Sequence, residues 1–259
     1  MFKKYHSYFL SMTLVLMFTM AALSFASGQE QETGPAEMFY YVASKVKMET
    51  YDENNLARTQ DLGTDELWVG EKEIAEVTGG RIFYLNTEKN QLILMDLKNQ
   101  TYVTTQLPLK LENIYSQEKL QQLQKQKRTA EVELLKETRE ILGLECQTYK
   151  YYTKTTKENG TIEQNELNVW ASTKAPFDLG KYYQLLECMR VIANRDKEER
   201  QQLEKIKGIQ MRVEGSLNQQ GKRQKYISEV VEISKKVPPV SSIDELISAQ
   251  GLTKIERFD

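Results

Sequence analysis

Residues 73–106 read EIAEVTGGRIFYLNTEKNQLILMDLKNQTYVTTQ. Four apolar runs, 73–78, 81–86, 91–97 and 100–106, are punctuated by Gly79-Gly80, Glu88-Lys89-Asn90 and Lys98-Asn99, the residue chemistry of tight turns. Runs this short, bounded this way, are strands joined by hairpins, so the stretch predicts an antiparallel meander.

The pattern continues toward the N-terminus, where Val42, Ser44, Val46 and Met48 share one parity and Ala43, Lys45, Lys47 and Glu49 the other, as a half-buried strand requires. A short strand is expected at 66–69. Toward the C-terminus, residues 111–137 place Leu120, Leu123, Ala130 and Leu134 at steps of three and four and predict a helix, interrupted by Lys127. Strands are predicted at 144–155 and 162–172, joined by Lys157-Glu158-Asn159-Gly160, whose Asn-Gly pair is a hairpin signal. A second helix begins near Asp178 and carries Tyr182, Leu185, Leu186, Met189, Ile192 and Ala193 on one face. Residues 194–207 read as a charged helix with little beyond Leu203 and Ile206 to bury. The alternation then resumes at Ile209, Met211, Val213, Gly215 and Leu217, and pairs with 223–236, where Ile227, Val231 and Ile233 share a parity. Pro238-Pro239 breaks the chain, Ser241 or Ser242 caps a short helix through Gln250, and 252–258 suits a last strand. No linker divides this order. It predicts one α+β domain over 38–259, a large curved antiparallel sheet with two or three helices packed on one face.

The first 26 residues carry Lys3 and Lys4, then an almost wholly apolar run to Phe25, then small residues around Ala26, which is the pattern of a secretory signal peptide. An uncleaved anchor helix is the alternative, but the run is short against the ~20 residues a spanning helix needs. Cleavage falls after Ala26 or after Gly28, and residues 27–37 are a polar lead-in. This reading predicts an exported product, periplasmic or extracellular, with no transmembrane segment after cleavage.

Composition removes several classes of function. Of 259 residues, 35 are Lys or Arg and 37 Asp or Glu, a formal charge of -2 that falls to -4 when Lys3 and Lys4 are cleaved. With basic residues scattered among acids, no nucleic-acid partner is expected. The single histidine, His6, lies in the signal. A mature chain without imidazole builds no Ser-His-Asp or Cys-His triad and no histidine metal site. No glycine-rich phosphate loop is present, so neither a cofactor nor a metal is expected. Carboxylates such as Asp61, Asp65, Glu66, Glu71 and Glu73 are plentiful, but nothing in the sequence selects a catalytic pair among them. Cys146 and Cys188 are the only cysteines. An oxidising compartment permits a bridge between them, and two buried, reduced thiols are the equal alternative.

Three segments carry a resemblance: 81–108, then 141–152 together with Val169-Trp170-Ala171, then 208–233 beginning GIQMRVE. They resemble a family of exported bacterial proteins related to the periplasmic lipoprotein carriers and outer-membrane lipoprotein receptors. Gly143, Cys146 and Tyr149 match its Gly-x-x-Cys-x-x-Tyr motif, Val169 and Trp170 its Val-Trp strand, and Gly208, Met211 and Glu214 its third motif. Gln210 stands where that motif usually has proline, and the C-terminus lacks the family's Phe-x-x-Pro ending. The resemblance implies an incomplete antiparallel barrel whose concave face is lined by helices around an apolar cavity. It implies no catalytic residue.

Two expectations follow. In the first, the protein is a non-enzymatic carrier of a lipid or acyl chain, held in a cavity between sheet and helices and lined by Val46, Met48, Tyr102, Met189, Met211 and Val213, chosen for parity and apolarity. In the second, the interior is filled and the protein is an envelope scaffold that meets a protein partner through the charged stretches 111–137 and 194–207.

Overall fold

In the computed structural model, which describes residues 37–52, 55–124, 127–156, 160, 162–219, 222–240 and 242–259, the chain opens with six strands. They are β1 (Phe39–Asp52), β2 (Asn55–Val69), β3 (Glu73–Thr78), β4 (Arg81–Asn86), β5 (Gln91–Asp96) and β6 (Thr101–Gln106). A 3₁₀ turn (Leu111–Asn113) and α1 (Gln117–Gln124) lead to β7 (Lys127–Ile141), β8 (Leu144–Thr156) and β9 (Ile162–Ser172). Helices α2 (Leu179–Ile192) and α3 (Lys197–Leu203) precede β10 (Ile209–Gln219) and β11 (Lys222–Lys236), and α4 (Ile243–Ala249) and β12 (Thr253–Lys254) close the chain. These elements belong to one compact unit, Glu37–Asp259. The segment expected to be a signal peptide, with its expected cleavage site, lies outside the described residues.

All twelve strands form one sheet in the order β12-β6-β5-β4-β3-β2-β1-β11-β10-β9-β8-β7, antiparallel except for the β12–β6 pair. The sheet is an α+β layer and does not close into a barrel. The predicted meander is β3–β6, and its first turn works because Gly79 and Gly80 both take positive φ, +55° and +77°, as a two-residue hairpin turn demands. Two meanders, β1–β6 and β7–β11, meet where β1 pairs with β11 from Phe39 opposite Lys236 to Tyr51 opposite Arg223.

The helices do not share one face. Phe83, Leu85, Leu92 and Leu94 pack in a single cluster with Tyr182, Leu185 and Ile192 of α2. Their neighbours along the same strands, Ile82, Tyr84, Ile93 and Met95, pack instead with Ile243, Leu246 and Ile247 of α4. Successive strand side chains point to opposite faces, so α2 and α4 cover opposite sides of the sheet. We call the α2 side inner and the α4 side outer. Leu203 of α3 joins Tyr149, Tyr151, Val169 and Ala171 in a further cluster. Val169 stands in register with Val213, Ser228 and Val46, which places this cluster on the inner side. The expectation of two or three helices on one face is therefore corrected: among the described residues there are four α-helices, and α4 packs opposite to α2.

A second correction concerns 111–137. Only Gln117–Gln124 is α-helical, and Lys127–Ile141 is the edge strand β7. A third concerns β11, where Ala43 lies opposite Glu232 and Ser44 opposite Val230, leaving Val231 as a bulge residue. The bulge resets parity, so Val230 is buried while Val231 is 44% exposed, and Ile227 falls on the side opposite to Ile233. The helix starts follow the expected chemistry. Asp178 accepts from the Gly180 N–H at 2.8 Å, Asp196 from Glu199 at 2.8 Å and Ser242 from Glu245 at 3.1 Å.

Candidate functional site

Five of the six side chains expected to line a ligand site fall on the inner side. Val46, Ser228, Val213 and Val169 form one cross-strand row, and Met48, Tyr226, Gly215 and Leu167 form the next row toward the hairpin ends. Met211 and Met189 belong to the cluster under α2, where Met211, Leu185 and Ile74 have no accessible surface. Tyr102 stands apart. It packs with Met95 and α4 on the outer side.

The inner side is thus closed in one part and open in another. Beneath α2 it is filled, whereas Met48, Leu167, Val213 and Tyr226 remain half-buried, Leu167 and Val213 at the rim of the cluster that Leu203 of α3 joins. Gly215 sharpens the contrast: a Cβ there would lie 2.0 Å from the Glu166 carbonyl oxygen, so glycine alone fits, and its row has no side chain between Tyr226 and Leu167.

Two carboxylates sit on the same face. Glu76 lies opposite Leu67 on β2, and Asp65, two residues earlier on that strand, shares its side and its diagonal. Burial and then the neighbouring Asp65 charge push the Glu76 carboxyl up to about 7. Burial raises Asp65 as well, against hydrogen bonds from Thr78 and Gly79. Tyr226 is raised by burial and then by the Asp65 charge, and Tyr182 by burial and then by Glu76. Near neutrality this corner carries a carboxyl that exchanges between a neutral donor and an anion. Sequence reasoning named Asp65 only among many carboxylates and missed Glu76, because the pairing runs between strands.

Cys146 and Cys188 are free thiols buried in the cluster under α2. The Cys146 thiol donates to the Leu144 carbonyl at 3.4 Å, and burial lifts both thiols, Cys188 to about 11, which leaves little thiolate at neutral pH. Among the described residues no group of three or more His, Cys, Asp or Glu side chains is arranged to hold a metal ion. No described helix is long and apolar enough to cross a membrane.

No family model matches the chain, and no curated protein matches it. The residues that carry the family resemblance are placed by the fold as follows. Gly143, at φ +76°, turns β7 into β8, where Cys146 and Tyr149 lie. Val169 and Trp170 are on β9, and Met211 and Glu214 on β10. Gly208, at φ +100°, brings the chain so close to β9 that a Cβ would lie 2.2 Å from the Ser172 carbonyl oxygen. The Gly208 N–H donates to the Tyr183 hydroxyl at 2.7 Å.

Proposed function

We propose that the protein is an exported, non-enzymatic binding protein that holds a single acyl chain or a similar apolar ligand on the open part of its inner face. The observation that carries this reading is the half-buried patch of Met48, Leu167 and Val213, from two neighbouring cross-strand rows on the same face as the closed core under α2. The ligand does not lie beneath α2, where packed side chains already fill the space. It extends the core outward over Gly215, and apolar burial at roughly 25 cal/mol per Å² drives the association with no charged partner.

The test uses a fluorescent fatty acid displaced by unlabelled oleate, together with native mass spectrometry of protein prepared without detergent. Saturable binding that is lost in Val213→Asp and in Met48→Asp, with folding intact by circular dichroism, is the expected result. These two positions are half-buried, so a charge there blocks the ligand without a large cost to the fold. Met211→Asp is a poor probe because that side chain is fully buried. No saturable binding, or equal binding in both variants, overturns the reading and leaves the scaffold as the working alternative.

A further inference from the structure

Toward the hairpin ends, the outer side of the β7–β11 half forms a trough of about 990 Å³. One row of side chains crosses five strands in direct register: Glu131, Tyr152, Glu166, Ser216 and Lys225. Lys150, Asn168 and Glu214 make the adjacent row. Each of these positions alternates with an inner-side residue, Asn168 with Val169 and Glu214 with Val213, so the trough lies on the face opposite to the acyl-chain site.

The charges of the trough are largely spent on one another. Lys150 pairs with Glu166 at 2.7 Å, Lys225 with Glu214 at 3.4 Å, and Arg212 also binds Glu214. The lining carries Glu131, Glu166 and Glu214 against Lys154 and Lys225, so its field favours neither a polyanion nor a polycation. What remains for a ligand is hydrogen bonding and one flat apolar surface. Gln164, Asn168 and Ser216 offer amide and hydroxyl groups that both donate and accept. Tyr152, with the Lys150 ammonium 5.0 Å from its ring centroid, supplies the aromatic plane.

Donors and acceptors in pairs beside an aromatic ring, with Glu166, Glu214 and Lys225 already paired and Glu131 and Lys154 offsetting each other in net charge, suit a molecule rich in hydroxyls and free of charge. The spacing agrees. Rows of side chains repeat across a sheet at about 4.8 Å, close to the repeat of a β-linked hexose chain, and five strands span roughly 19 Å, about the length of a tetrasaccharide. We propose that this trough is a binding site for an uncharged oligosaccharide, separate from the acyl-chain site of the inner face.

Cellotetraose and chitotetraose are the probes, titrated by calorimetry and by amide chemical-shift mapping on the purified protein, with polyglutamate and polylysine as charged comparators. The expected result is saturable binding of at least one tetrasaccharide, with shifts confined to β7–β11. Tyr152→Ala and Asn168→Ala weaken it about tenfold or more at an unchanged thermal midpoint, and Val213→Asp leaves it intact. Absence of saturable binding to both sugars, indifference to both trough variants, or binding of a polyelectrolyte in their place overturns the proposal. Because Val213 faces the other side, failure here and failure of the acyl-chain reading are told apart.

Discussion

At Gly208 a positive φ, which strains any larger residue, coincides with a carbonyl that leaves no room for a Cβ. Gly208→Ala forces the β9–β10 junction apart, with a stability loss of about 2 to 4 kcal/mol expected from urea midpoints. Glu76 makes a prediction of a different kind. Its carboxyl titrates at about 7 in the folded protein against an ordinary 4.5, so folding favours the protonated form. The stability it contributes is fully present below about pH 4.5 and is lost as pH rises through about 7, at most about 3 kcal/mol. Glu76→Gln keeps a neutral side chain at every pH. The variant should match the parent near pH 4 and exceed it near pH 8, and equal pH slopes in the two proteins would refute the assignment. Individual residues such as Gly143 and Gly208 are legible in the sequence as special backbone positions. The Asp65–Glu76 pair is not, because strand register, rather than spacing along the chain, brings the two together.

Among the elements, strands bounded by turns are the most readable. β3, β4 and β9 begin and end where apolar runs meet turn residues. The segment 111–137 shows the opposite case. Leu120, Leu123, Ala130 and Leu134 keep a helical step, yet Ala130, Val132 and Leu134 also alternate with Glu131 and Glu133, which is the period of a strand. Tertiary pairing with β8 decides for the strand. As an edge, β7 buries little beyond Val132 and Ile141, so its own residues assert the alternation weakly. Helix α3 holds this edge: Gln202 Oε1 accepts from the Val132 N–H at 3.2 Å, and one turn earlier Glu199, 1% accessible, accepts from Tyr151 at 2.9 Å and pairs with Arg195. The sequence reads 194–207 as a charged helix with little beyond Leu203 and Ile206 to bury, and gives no sign of this buried acid. Glu199→Ala is expected to cost about 3 kcal/mol, since it empties a fully buried position and leaves the buried Tyr151 hydroxyl without its acceptor, and Tyr151→Phe about 1 kcal/mol. A double-mutant cycle in urea should give a loss smaller than the sum, and strict additivity would show that the two side chains act separately.

For the molecule as a whole, the order of elements is legible and the sidedness of the sheet is not. Parity says that two sets of residues in β4 and β5 face opposite ways, and the continuous apolar runs RIFYL and LILM hint that both sets are buried. It does not say which helix covers which set. Apolarity and parity therefore put Tyr102 with residues that face the other side, whereas Val46 and Val213 share one cross-strand row. Since α4 and the following Leu252 pack on Ile82, Tyr84, Ile93 and Met95, a chain ended after residue 240 uncovers that patch. Such a chain should keep its far-ultraviolet circular dichroism and self-associate, as measured by light scattering. A monodisperse truncated protein would show that the patch is covered by something other than α4.

The join between the two meanders has its own consequence in time. Every other antiparallel pair links strands close in sequence, but β1 must wait for β11, separated from it by most of the folded chain. The two halves assemble from local contacts, and the β1–β11 zipper closes last because loop closure delays its pairing. During synthesis the edge of β1 stands unpaired until β11 has emerged, a template for mispairing with another chain. The interval before β11 is available is the one in which this edge invites a foreign strand, and a chain kept unfolded through it is spared that hazard.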